Sequence, residues 1–176
     1  MAAALFAREV GGRAESVEAA SAGILPGGDP VPPEVLEVMD TYGIDLSAHR
    51  SRTLTAEAVS EADLLVGMAR RHVREAVLLD AEVWPRAFTL KSLVQRGRAL
   101  GPRAPGSEVA SWLGGVHDGR TRSELAHRSS VDEVADPYGG PLAGYRTAGK
   151  ELEELTSELA ELLWPRGFGQ VDAEGG

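Results

Sequence analysis

Cysteine is absent from all 176 residues, which removes disulfides, thiolate metal sites and thiol nucleophiles from anything this polypeptide can do by itself. The remaining candidates for chemistry are few. Of the four histidines, His49, His72, His117 and His127, no two stand at i, i+3 or i+4 and none is grouped with carboxylates, so no metal site is expected. Ser21-Ala22-Gly23 sets small residues where backbone can come close to another group. Asp136-Pro137 reads, on its own, as a turn ahead of the last helix. There is no Walker loop, no Gly-x-Gly-x-x-Gly and no internal repeat, and no cofactor is expected.

The framework that must hold these residues alternates strands and helices. Met1 to Val10 is Ala-rich and helix-favouring but has no N-cap residue, so it reads as a helix whose beginning is missing. Ser16 to Ala20 is a short strand candidate, and Gly27-Gly28-Asp29-Pro30 a turn. Pro32-Pro33 opens a helix carrying Val35, Leu36, Met39 and Tyr42 at helical spacing, closed by Gly43. Thr55 caps a short helix to about Ser60, and Asp63 to Met68 is an apolar run suited to a buried parallel strand. Arg70 to Leu79 is helical, Phe88 to Leu90 a strand, and a further helix runs to about Arg98. After the Gly101-Pro-Arg-Ala-Pro-Gly106 break, the chain to about Ser130 is part loop and part helix. Leu152, Leu155, Leu159 and Leu162 then mark a long amphipathic helix from Leu142 to Leu163, stopped by Pro165. Strands separated by helices imply an α/β fold with a parallel sheet covered on both faces, its ligand site beyond the carboxyl ends of the strands. The domain is expected to be 1–163, with 164–176 a flexible tail.

Apolar residues at 43% and charged residues at 26% are the proportions of a soluble globular chain, and the length suits one domain. The net charge of −9 opposes binding to nucleic acid or to anionic membranes. Eight basic residues against three acidic ones between Arg86 and Arg128 give that stretch +5, leaving −14 elsewhere. Such a stretch serves equally as a solvated basic face or as a means of drawing acidic or phosphorylated substrates. No apolar run approaches the ~20 residues of a membrane span, and the first residues lack the order of a signal peptide, so the cytoplasm is the expected compartment.

Four blocks occur in an order that resembles the low-molecular-weight protein tyrosine phosphatases: Met1-Ala-Ala-Ala-Leu-Phe6, Ser21-Ala22-Gly23, Gly43-Ile-Asp-Leu-Ser-Ala-His49-Arg50-Ser51-Arg52 and Asp136-Pro137-Tyr138. Ala62 to Met68 is similar to the family's third strand, and the likeness spans about residues 1–163. The resemblance implies a three-layer fold with sheet order 2-1-3-4. It also implies a Cys-x5-Arg-Ser/Thr-Pro phosphate loop between the first strand and a helix that starts where Met1 falls. That strand and loop, with the Cys nucleophile and the Arg, are not among these residues. An internal strand missing from a sheet leaves buried amides unpaired at on the order of 1–3 kcal/mol each, against a typical domain stability of ~5–15 kcal/mol. The expectation is therefore a start site at an internal Met with roughly 15 residues omitted, a strand plus its loop.

By the same resemblance Asp136 is the general acid and base, Tyr138 lines the substrate pocket, and His49 and Ser21 support the phosphate loop. For each, a plain packing or surface role is the competing reading. The implied activity is hydrolysis of phosphotyrosine or a small phosphomonoester, with the chain as given inactive for want of its nucleophile. The alternatives are a non-catalytic pseudophosphatase that binds or regulates, and a relative of the arsenate reductases, whose internal thiol relay has no cysteine to run through here. Three departures from the family are visible: Ile24-Leu25-Pro26 lacks an aromatic at the pocket rim, Ala69 stands where Asp is usual, and 96–130 is longer than compact members need.

Overall fold

Side-chain alternation along two short strands sorts the core into two halves. In the computed structural model, which describes residues 1–13, 17–125 and 131–166, Leu65–Gly67 (β1) runs parallel to Ala87–Thr89 (β2). Leu65 lies opposite Ala87 and Val66 opposite Phe88. Because successive residues face opposite sides of a sheet, Leu65 and Ala87 join Val59, Val73, Val83 and Trp84, whereas Val66 and Phe88 join the larger cluster of Leu5, Met39, Leu93, Leu113 and Leu159. The helices are α1 (Ala2–Val10), α2 (Pro33–Asp40), α3 (Ala56–Glu61), α4 (Arg70–Leu79), α5 (Leu90–Leu100), α6 (Val109–His117) and α7 (Leu142–Leu163), with 3-10 turns at Ala81–Arg86 and Arg122–Leu125. Helices α3 and α4 cover one face, and α7 gathers α1, α2 and α5 on the other. This is the expected α/β arrangement.

The local signals act as anticipated. Thr55 accepts the Ala58 N–H at 3.2 Å as the cap of α3, and Gly43 takes φ +70° after α2. Helices α4 and α7 occupy the spans their periodicity predicts.

One expectation needs correction. Val17–Ala20 forms no strand, and Ser16 lies outside the described residues. A strand needs a ladder partner, and among the described residues this segment has none. The bridges that follow, Gly23 to Thr53 and Pro30 to Arg50, are isolated. Of a sheet of order 2-1-3-4, the described residues therefore pair β1 with β2 alone. Beyond α7, Trp164 packs at 6.2 Å from Phe6 and its carbonyl accepts from Arg13. Residues 167–176, assigned to the tail, lie outside the described residues.

Much of the basic segment is tied into the packed structure. Three of its described arginines, Arg86, Arg96 and Arg103, reach carbonyls that helix ends leave without partners. Arg86 donates to Ala62 O at 2.7 Å and to Ser60 O at 3.2 Å, closing α3, and Arg96 donates to Val116 O and Asp118 O, closing α6. Arg103 Nε donates to Leu163 O at 2.7 Å at the end of α7 and lies over the Trp164 ring. Arg120 is sandwiched between the Trp84 and Phe88 rings at 4.0 and 3.9 Å and donates to Ala87 O, and burial pushes its pKa down to about 10. Arg128 lies outside the described residues.

Arg103→Met should lower unfolding free energy by ~1–3 kcal/mol, the range for a hydrogen bond from a charged group. Arg98→Met, which breaks an exposed pair with Glu158, should cost under ~1 kcal/mol. Urea denaturation of both variants measures the contrast.

Candidate active site

The carboxyl end of β1 must turn sharply into α4, and Gly67 makes this possible. A Cβ there would lie 3.0 Å from His72 Cβ and 3.1 Å from Ala69 O. The next peptide is bonded on both sides: Met68 N–H donates to His72 Nδ1 at 3.2 Å, and Met68 O accepts the Val134 N–H at 2.9 Å. That second bond carries the 131–140 loop to the end of the sheet where open α/β folds place their ligands.

Helix α4 begins Arg70-Arg71-His72, putting cations at the positive end of its dipole, an unfavourable placement that calls for acids. The loop provides them. Arg70 N–H donates to Glu133 Oε1 at 3.2 Å, the Arg70 guanidinium pairs with Asp132 and also donates to Glu124 O at 3.0 Å, and Arg71 Nη2 lies 3.4 Å from Asp136 Oδ2. The imidazole of His72 is held below its ordinary pKa by burial first and by the Arg71 charge second.

Asp136 itself is shaped by its own turn. Its Oδ1 accepts the Tyr138 N–H at 3.1 Å, an arrangement that Asp favours in turns. Gly139 follows at φ +74°, a left-handed conformation, and donates to the Tyr145 hydroxyl at 3.1 Å, tying the loop to the first turns of α7. The Asp136 side chain remains 62% exposed and Tyr138 80% exposed. Ala69, Arg71, Glu133, Val134, Ala135 and Asp136 line an open depression of about 200 Å³. It presents two carboxylates, one guanidinium and small apolar walls, a setting suited to proton transfer at an anionic or polar group.

The four residues singled out from sequence do not assemble as one group. Asp136 and Tyr138 share the loop. Ser21 and His49 are exposed, and among the described residues no hydrogen bond or ion pair joins either to Asp136. His49 N–H donates to Leu46 O and its carbonyl accepts from Arg50. His127 lies outside the described residues, and among those described no cluster of His, Asp or Glu could hold a metal ion. Sequence reasoning missed Arg70, Arg71, His72 and Glu133. A usable signal was present, since three basic residues opening a helix are out of place unless acids meet them.

Residues 1–100 match the family model described as low molecular weight phosphotyrosine protein phosphatase. A protein-arginine-phosphatase of Geobacillus stearothermophilus is 30% identical over 165 residues, 93% of this chain and 86% of that protein. Among solved structures, a low molecular weight protein tyrosine phosphatase from T. tengcongensis has a TM-score of 0.67 at 31% identity, covering 92% of this chain and 88% of that one. An arginine phosphatase from Geobacillus stearothermophilus has a TM-score of 0.64 at 28% identity, covering 91% and 80%.

Arg70→Met should destabilise by ~1–3 kcal/mol and speed proteolytic cleavage within 131–140. Arg71→Met, whose pair has side chains 52% and 62% exposed, should cost under ~1 kcal/mol and leave cleavage unchanged. Limited proteolysis beside urea denaturation checks both.

Proposed function

Because the chain belongs to the low-molecular-weight phosphotyrosine protein phosphatase family, we propose that Asp136 is the proton-transfer residue for hydrolysis of phosphorylated protein side chains, phosphotyrosine first among them. One observation carries this reading: an exposed carboxylate on a loop fixed to Met68 and Arg70, beyond the carboxyl end of a parallel strand. A carboxylic acid so placed gives its proton to the phenolate oxygen as the P–O bond breaks. As carboxylate it then takes a proton from the water that attacks phosphorus. Tyr138, two residues on, is the flanking surface for the substrate's ring.

The phosphoryl acceptor between those two steps is, by the family resemblance, a cysteine thiolate, and these 176 residues contain no cysteine. This polypeptide by itself therefore supplies the acid and the scaffold but performs no turnover through phosphocysteine. On its own, its role is that of a non-catalytic module. Ser21 and His49 keep their assignment as supports for a phosphate loop. The unit is 1–163, and the compartment is the cytoplasm. Among the described residues no helix is long and apolar enough to cross a membrane.

A second reading places phosphoarginine in the site, so that the leaving atom is a guanidinium nitrogen. It is favoured by the likeness to the Geobacillus stearothermophilus protein over most of both chains.

The purified chain should hydrolyse p-nitrophenyl phosphate no faster than a blank. A fusion placing a β-strand and a Cys-x5-Arg-Ser/Thr-Pro loop ahead of Met1 should turn it over, and Asp136→Asn in that fusion should lower kcat by ~10²–10⁴-fold. Assays on phosphotyrosine and phosphoarginine peptides separate the two substrates. Turnover by the unfused chain, or a fusion indifferent to Asp136→Asn, would contradict the reading.

A further inference from the structure

Four contacts close a ring that begins and ends at Asp136. Its carboxylate faces Arg71 Nη2 at 3.4 Å, Arg71 Nε points at His72 Nε2 at 3.2 Å, His72 Nδ1 faces the Met68 N–H at 3.2 Å, and Met68 O accepts the Val134 N–H at 2.9 Å, two residues before Asp136. The ring is one acceptor short. A neutral imidazole has a single lone pair, and two donors are aimed at it; an imidazolium has none.

We propose that His72 is a positioning residue for Asp136: the place of its ring proton decides whether the Met68 amide, and through it the loop backbone, or Arg71, and through it the Asp136 carboxylate, is held. With the lone pair on Nδ1, Met68 is held and Arg71 is left to Asp136. With the lone pair on Nε2, Arg71 is held and the Met68 N–H loses its acceptor. When both nitrogens are protonated, Met68 and Arg71 are both released, and the cation competes with Arg71 for carboxylates. The charged groups acting on the ring are Arg71 from α4 and Asp136 and Glu133 from the loop. The strands packed against α4, Leu65–Gly67 and Ala87–Thr89, carry no charge. Burial keeps the proton off until pH falls below the ordinary histidine value of about 6.5. The Met68 contact is thus available near neutrality, on the tautomer with its lone pair at Nδ1, and is lost on acidification.

The functional half of this inference rests on the assignment of Asp136, but the coupling itself is readable without catalysis. In two-dimensional ¹⁵N–¹H spectra of the full chain between about pH 5 and pH 8, the Met68 and Val134 amides should shift together, with the midpoint of the His72 ring. His72→Asn, whose side-chain oxygen can accept from Met68 but does not titrate, should keep both amides at their neutral positions throughout. His72→Ala should displace both at every pH, and if it fails to fold, the Asn variant decides. In the fusion described above, acidification should lower kcat through the same midpoint, and His72→Asn should remove that step. Amides that stay fixed while the ring titrates, or that titrate equally in His72→Asn, overturn the coupling. A fusion indifferent to Asp136→Asn would instead overturn the acid assignment and leave the amide result standing.

Discussion

The hydrogen bond from the Val134 amide to the Met68 carbonyl is the contact on which the site depends. It joins two segments far apart in sequence just past the carboxyl end of β1. An ordinary backbone hydrogen bond contributes only ~0.5–1.5 kcal/mol net, so it needs support. The loop gains it from the Arg70 pairs with Glu133 and Asp132, from burial of Val134, and from the Tyr145 hydroxyl at Gly139. Asp136 inherits its backbone position from this set, while the exposed ion pair with Arg71 acts on its carboxylate alone.

Charge is organised by the same local logic. An acidic chain with a basic middle invites an argument from long-range fields, yet five of the six described arginines of that middle reach carbonyls. Arg86, Arg96 and Arg103 each close a helix whose last carbonyls would otherwise rely on solvent. At the other polarity, α4 opens on cations and is met by acids. Both placements give these side chains local partners, and the depression beside Asp136 is lined by its own small balance of Arg71, Glu133 and Asp136.

Much of the fold was legible because its signals are local. Thr55 caps its helix through its own side chain, Gly43 supplies a left-handed stop, and the leucines from Leu152 to Leu162 repeat at helical spacing along α7. What stayed hidden depends on partners distant in sequence. Val17–Ala20 carries strand-like composition, but pairing is a property of two segments and no ladder forms. The arginine contacts could not be read either, since a guanidinium reaching Leu163 from position 103 leaves no periodic trace. For the candidate site, Asp136 and Tyr138 could be named because a short motif holds them together, whereas the contacts among Met68, Arg70, His72 and Val134 exist only once β1, α4 and the loop meet.

If Asp136 is the acid proposed above, a family scaffold without a thiol separates two requirements of one reaction. Positioning a carboxylate is a task for backbone bonds and ion pairs, which hold the Asp136 loop here, whereas a thiol acceptor for the phosphoryl group calls for a cysteine, and these residues contain none. The claim that the acid is held in advance is tested most directly by native-state hydrogen exchange at the Val134 amide. Protection approaching that of the β2 amides is the result expected of a loop anchored to the sheet. Exchange at the rate of an unprotected surface amide would contradict it.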